Sequence, residues 1–99
     1  TPTIANYTTH VFHQYTLVIK NVDRASLIEF MSEKGIPVMI YYPVPMHKQK
    51  AYLDPRYKDG DFPVAEYLSE HVISLPMHTE LDAEQLKYIT ESLLSFINK

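Results

Sequence analysis

Pro43 and Pro45 stand two residues apart near the middle of the chain, in Tyr41-Tyr42-Pro43-Val44-Pro45-Met46-His47. Neither carries a backbone N–H, so a strand built on the apolar run Pro37-Val38-Met39-Ile40-Tyr41-Tyr42 must end there, and the two pyrrolidine rings fix the path by which the chain leaves it. Residues 44–61 then hold Pro45, Pro55, Gly60 and the basic residues Lys48, Lys50, Arg56 and Lys58. A connection of that length in a small domain is either functional or unstructured, and its middle, 49–53, reads as a short helical turn.

Around this loop, short strands alternate with helices. Tyr15-Thr16-Leu17-Val18-Ile19-Lys20 is β-branched and aromatic and reads as a strand over 15–20. Asp23 caps a helix over 24–34, whose Leu27, Ile28 and Met31 share a face with Phe30 at its margin, and Gly35 and Pro37 close it. Pro63 opens a helix over 63–70 with Val64, Leu68 and His71 at helical spacing and Tyr67 beside them. Val72-Ile73-Ser74-Leu75 is a strand stopped by Pro76. Asp82 and Gln85 have capping-box spacing, Leu81 and Leu86 fit a hydrophobic staple, and Leu86, Ile89, Leu93, Phe96 and Ile97 form one stripe over 83–97. The order β-α-β-loop-α-β-α gives an α+β fold, a small sheet of about three short strands covered by helices.

The 99 residues, 45% of them hydrophobic, support one core and therefore one domain, 1–99, in which 1–9 reads as a connector or tail. A formal charge of −3, with nine Lys and Arg scattered singly, argues against a nucleic-acid partner. No segment approaches the roughly 18 to 20 apolar residues of a membrane helix, and Thr1 to His10 have no secretory character. The absence of cysteine removes disulfides and thiolate metal sites and fits a reducing, cytoplasmic setting.

Candidate site residues fall in two clusters. His10, His13, Gln14 and Tyr15 precede the first strand; no acid lies nearer than Asp23 to complete a ligand set, so no metal site is assigned, and these side chains either bond the backbone or face a cleft. In a strand over 37–42, period two sends Tyr41 and Tyr42 to opposite faces, one to the core and one to a cleft. A tyrosine there suits a ligand, since its ring covers a sugar or base and its hydroxyl donates to phosphate oxygens. His47, Lys48, Lys50, Arg56, Tyr57 and Lys58 concentrate donors that suit a diphosphate, although a solvated loop has the same composition. His71 and His78 stand alone and read as packing or surface residues. No Ser-His-Asp set, G-x-S-x-G elbow or phosphate-cradling glycine pattern is present, so no catalytic residue is assigned.

Taken in order, His10-Val11-Phe12-His13-Gln14-Tyr15-Thr16, Glu33-Lys34-Gly35-Ile36-Pro37, Tyr41-Tyr42-Pro43-Val44-Pro45-Met46-His47, Gly60-Asp61-Phe62-Pro63-Val64-Ala65-Glu66 and Ser74-Leu75-Pro76-Met77-His78 form a series. It resembles the DegT/DnrJ/StrS family of nucleotide-sugar aminotransferases from residue 10 onward. The resemblance implies the C-terminal small domain of an aspartate-aminotransferase fold. It implies a large domain of the same chain that holds pyridoxal phosphate, with the Schiff-base lysine, the aspartate facing the pyridinium nitrogen and the phosphate site. Lys20, Lys34, Lys48, Lys50, Lys58, Lys87 and Lys99 lack the family context for that lysine, so no cofactor-binding residue is assigned and the 99 residues alone are expected to be inactive. The implied reaction moves an amino group, from glutamate, to the keto sugar of a nucleotide-sugar in surface-polysaccharide or amino-sugar biosynthesis, and the Tyr-Tyr-Pro-Val-Pro-Met-His version leans towards 3-keto sugars. Tyr42 and His47 map onto segments that reach the nucleotide-sugar; His13, Gln14 and Tyr15 fall near the same cleft, and Tyr57 lies in the loop beyond. Family sites of this kind are often shared across a homodimer. The alternative reading is a non-catalytic binding or assembly module that kept the fold.

Overall fold

A computed structural model describes residues 1–99. The chain forms β1 (Tyr15–Val18), α1 (Arg24–Glu33), α2 (Pro63–His71), β2 (Val72–Leu75) and α3 (Ala83–Ile97). Two 3-10 turns, Met46–Lys48 and Lys50–Tyr52, lie in the loop between α1 and α2. The helix ends are set by local chemistry. Asp23 accepts the Ser26 N–H at 2.7 Å, and this bond holds its carboxyl below the usual carboxylate range. At the other end of α1, Gly35 takes a left-handed φ of 71°, donating to Ser32 O while Ile36 donates to Met31 O, so the turn closes with Ile36 and Met31 both buried. In α3 the capping box is complete: Gln85 N–H donates to Asp82 Oδ1 at 2.7 Å and Asp82 N–H to Gln85 Oε1 at 3.0 Å.

β1 and β2 pair antiparallel, Tyr15 opposite Leu75 and Val18 opposite Val72. The facing hydroxyls of Thr16 and Ser74 bond at 2.8 Å, which satisfies the buried Ser74. One core joins Leu17 and Ile19, Leu27 and Met31 of α1, Ile36, Ile73 of β2, and Ile89 and Leu93 of α3. Phe30 and Phe96 extend it, with ring centroids 5.2 Å apart.

The fold is α+β, but the sheet has two strands, not three. Residues 37–42 contribute one bridge: Met39 and Ser74 exchange both backbone bonds, at 3.0 and 2.6 Å. The next such pair on one side would set Pro37 against Pro76, and neither has an N–H to give. On the other side, the Val72 N–H already bonds Leu68 O and the Val72 carbonyl accepts from Arg24 Nη1 at 3.2 Å. The ladder is stopped at both ends. Nor does either Tyr41 or Tyr42 enter the core: both are exposed, and their rings meet edge to face at 5.5 Å.

Two helices bury less than their spacing suggests. On α3, Ile89 and Leu93 are buried and Phe96 partly so, but Leu86 and Ile97 are exposed. On α2 only Ser69 is buried, while Val64, Tyr67 and Leu68 are exposed. The accessible surface is 7687 Å² for a chain of 11.5 kDa, where a compact monomer of that mass shows about 5,800 Å². The radius of gyration, 15.9 Å, likewise exceeds the roughly 13 Å of a compact 100-residue domain. No helix is long and apolar enough to cross a membrane.

Candidate functional site

The loop from Tyr42 to Asp61 is organised by its own hydrogen bonds and by one carboxylate. Lys48 N–H donates to Pro45 O, Gln49 N–H to Met46 O and the Gln49 side chain to Val44 O, so the proline segment is tied to the first 3-10 turn. The turn is then fixed to α2 through Glu66. Glu66 Oε1 lies 2.8 Å from His47 Nε2 and accepts the Gly60 N–H at 2.8 Å, and Oε2 lies 3.6 Å from Lys48 Nζ. Lys48 also sits 3.5 Å from Asp59. The His47 side chain is 8% exposed, with its ring 4.8 Å from that of Phe62, which in turn lies 5.4 Å from Tyr57.

Glu66 is held below the usual carboxylate range, first by the Gly60 N–H, then by the His47 bond and the Lys48 charge. A carboxyl with a depressed folded-state pKa stabilises the fold fully above its unfolded value, near 4.5, and that contribution is lost as pH falls through the lower folded value. Acid unfolding of Glu66→Gln, followed by fluorescence, should therefore lose part of the steepness seen below pH 4.5 in the parent. Superimposable acid limbs would show that the clasp carries no linkage.

The structure distributes the expected site residues over four places. His13 and Gln14 line a cleft of about 300 Å³ with Met39, Tyr41 and Met77. Tyr15 does not open into it; its ring packs on the core and lies 5.2 Å from Phe12. Tyr42, 68% exposed, lines a separate recess of about 480 Å³ with Pro43, Val44, Lys48, Gln49 and Lys50. His47 belongs to the Glu66 clasp, and Tyr57, exposed, lies against Phe62. His10 is engaged locally, its Nδ1 accepting the Phe12 N–H at 2.8 Å.

The cluster of loop donors is smaller than its composition suggests. Arg56 is taken up by Asp54 through a fork of bonds at 2.6 to 3.1 Å, and His47 and Lys48 by Glu66. Lys50 and Lys58 make no ion pair, which leaves Lys50 as the unpaired cation of the Tyr42 recess. Glu66 and Phe62 were not assigned from sequence. The available signal was Glu66 itself, an acid in the first turn of a helix entered directly from a loop rich in cations.

The lysines bear on the cofactor that the family resemblance implies. Six of the seven are exposed, and the seventh, Lys48, is tied to two acids at the loop surface. A Schiff-base lysine needs a desolvated setting or a neighbouring cation to be neutral and nucleophilic. Within these 99 residues no lysine has such a setting.

The architecture is a two-stranded antiparallel sheet under helices, with a proline-shaped loop clasped to one of them. The model of the DegT/DnrJ/EryC1/StrS aminotransferase family matches residues 1–94, and the chain belongs to that family. It is 44% identical to a Geobacillus stearothermophilus protein named "Pleiotropic regulatory protein", over 88% of this chain and 23% of the relative. It is 41% identical to a UDP-N-acetyl-3-dehydro-alpha-D-glucosamine 3-aminotransferase of Acidithiobacillus ferrooxidans, over 81% of this chain and 21% of the relative. The crystal structure of S. venezuelae DesV in complex with a ketimine intermediate superposes with a TM-score of 0.90 at 28% identity, over 99% of this chain and 26% of that one. The chain thus spans about a quarter of the length of the relatives it matches.

Proposed function

We propose that this chain is the C-terminal small domain of a pyridoxal-phosphate-dependent aminotransferase that aminates the keto group of a nucleotide-sugar, with glutamate as donor, and that it supplies part of the sugar-nucleotide site. The observation that carries the reading is the Tyr42 recess, where an exposed phenol and the unpaired Lys50 ammonium stand on one loop. A phenol and an ammonium are both donors, the complement of a diphosphate's oxygens. His13 and Gln14, in the neighbouring cleft, are assigned to the sugar side, and Tyr15 and Tyr57 to holding the walls. His47 is assigned to the substrate site through the shape it gives the loop. The name of the Acidithiobacillus relative supports a 3-keto sugar over a 4-keto one. The reading carries with it a cytoplasmic homodimer acting in amino-sugar or surface-polysaccharide biosynthesis, with the large domain supplying the cofactor.

In the full-length enzyme, Tyr42→Phe is expected to raise the KM for nucleotide-sugar about ten- to hundred-fold, because a hydrogen bond to a charged group contributes about 1.5 to 3 kcal/mol. The melting temperature should stay with the parent, since the side chain is exposed. Parent kinetics in this variant would remove Tyr42 from the site. The Geobacillus relative's name favours a second reading, a regulatory or assembly module without catalysis. Borohydride reduction of the full-length protein followed by mass spectrometry separates the two: a covalent cofactor adduct belongs to the enzyme alone.

A further inference from the structure

We infer that Glu66 is a positioning residue for nucleotide-sugar binding, which clamps both ends of the substrate loop onto α2. The inference rests on the reading of the Tyr42 recess given above.

Glu66 stands on a formed helix, its own N–H bonded to Phe62 O at 3.0 Å. Its carboxylate, 18% exposed, reaches His47 and Lys48 early in the loop and Gly60 at its end. A single anion therefore bridges segments far apart in sequence and fixes both against one rigid element. What it fixes is adjacent to the recess. Lys48 is a wall of the recess, and the turn that carries His47 and Lys48, with Gln49 after it, donates the bonds that hold Val44 and Pro45. Tyr42 and Pro43, immediately upstream, inherit that placement. Without the carboxylate, the His47 ring is left nearly buried with no partner for Nε2, and Lys48 is free to swing with Asp59. The recess would lose its wall while α2, capped by its own backbone and Pro63, stays folded. Glu66 touches no reacting atom in this scheme; it acts through the loop.

The test uses the full-length holoenzyme and steady-state kinetics with nucleotide-sugar and amino donor varied separately. Glu66→Ala is expected to raise the KM for nucleotide-sugar at least about ten-fold, with kcat at saturation within two-fold of the parent and the KM for the amino donor unchanged. Glu66→Gln, which keeps the shape but not the charge, should fall between the two and carries the test if the alanine variant does not accumulate folded. A parent KM for nucleotide-sugar in both Glu66 variants, with Tyr42→Phe raising it, overturns the clamp and leaves the recess as the binding site. Parent values in all three variants overturn the clamp together with the recess. A loss confined to kcat, or an equal rise in both KM values, also overturns the clamp, because a loop wall acts on one substrate only.

Discussion

Replacing Ile73 by alanine is expected to destabilise the domain by about 2 to 5 kcal/mol, and Leu27→Ala by a similar amount. Both side chains are fully buried, Ile73 in the central strand pair and Leu27 on the face of α1 that meets it. The core holds few alternatives: eight buried hydrophobic residues form it, so there is little neighbouring mass to close over a cavity. Domains have about 5 to 15 kcal/mol in total, so either change removes a large part. Chemical denaturation of the full-length protein and of each variant measures it. Leu86→Ala, on the exposed side of α3, serves as the control and should cost well under about 1 kcal/mol. Equal costs at Leu86 and Ile73 would mean that α3 presents a different face to the core.

The 99-residue chain by itself is expected to self-associate in solution and to transfer no amino group when supplied with pyridoxal phosphate, glutamate and a keto nucleotide-sugar. Its lysines are exposed or ion-paired, so an adduct with the cofactor should be weak and non-stoichiometric. Its surface exceeds that of a compact monomer by close to 1,900 Å², an excess of the size of a stable protein–protein interface. Much of α2, including Val64, Tyr67 and Leu68, is apolar and exposed. Light scattering should give a mass above 11.5 kDa that falls towards it in Val64→Ser/Leu68→Ser. A stable monomer, or sugar-dependent turnover by these residues alone, would contradict the domain assignment made above.

What the sequence determined by itself was everything that closes within a few residues. The Asp23 cap, the left-handed Gly35, Pro63 at the start of α2 and the reciprocal Asp82 and Gln85 bonds each need only their own turn, and α1, α2 and α3 begin and end within a residue of where those signals place them. The family, too, was legible in the ordered motifs. The tertiary structure decided what depends on register and on distant partners. Pro37 stops a third strand because antiparallel register sets it against Pro76, and no local property of either residue reveals that opposition. Val64 and Leu68 have helical spacing whether or not anything covers them, and both are exposed here. Loop composition counted His47, Lys48 and Arg56 as free donors, yet a cation's availability depends on which anion lies within a few ångströms. Glu66 reaches His47 across the whole loop, and only the folded path of that loop brings them together.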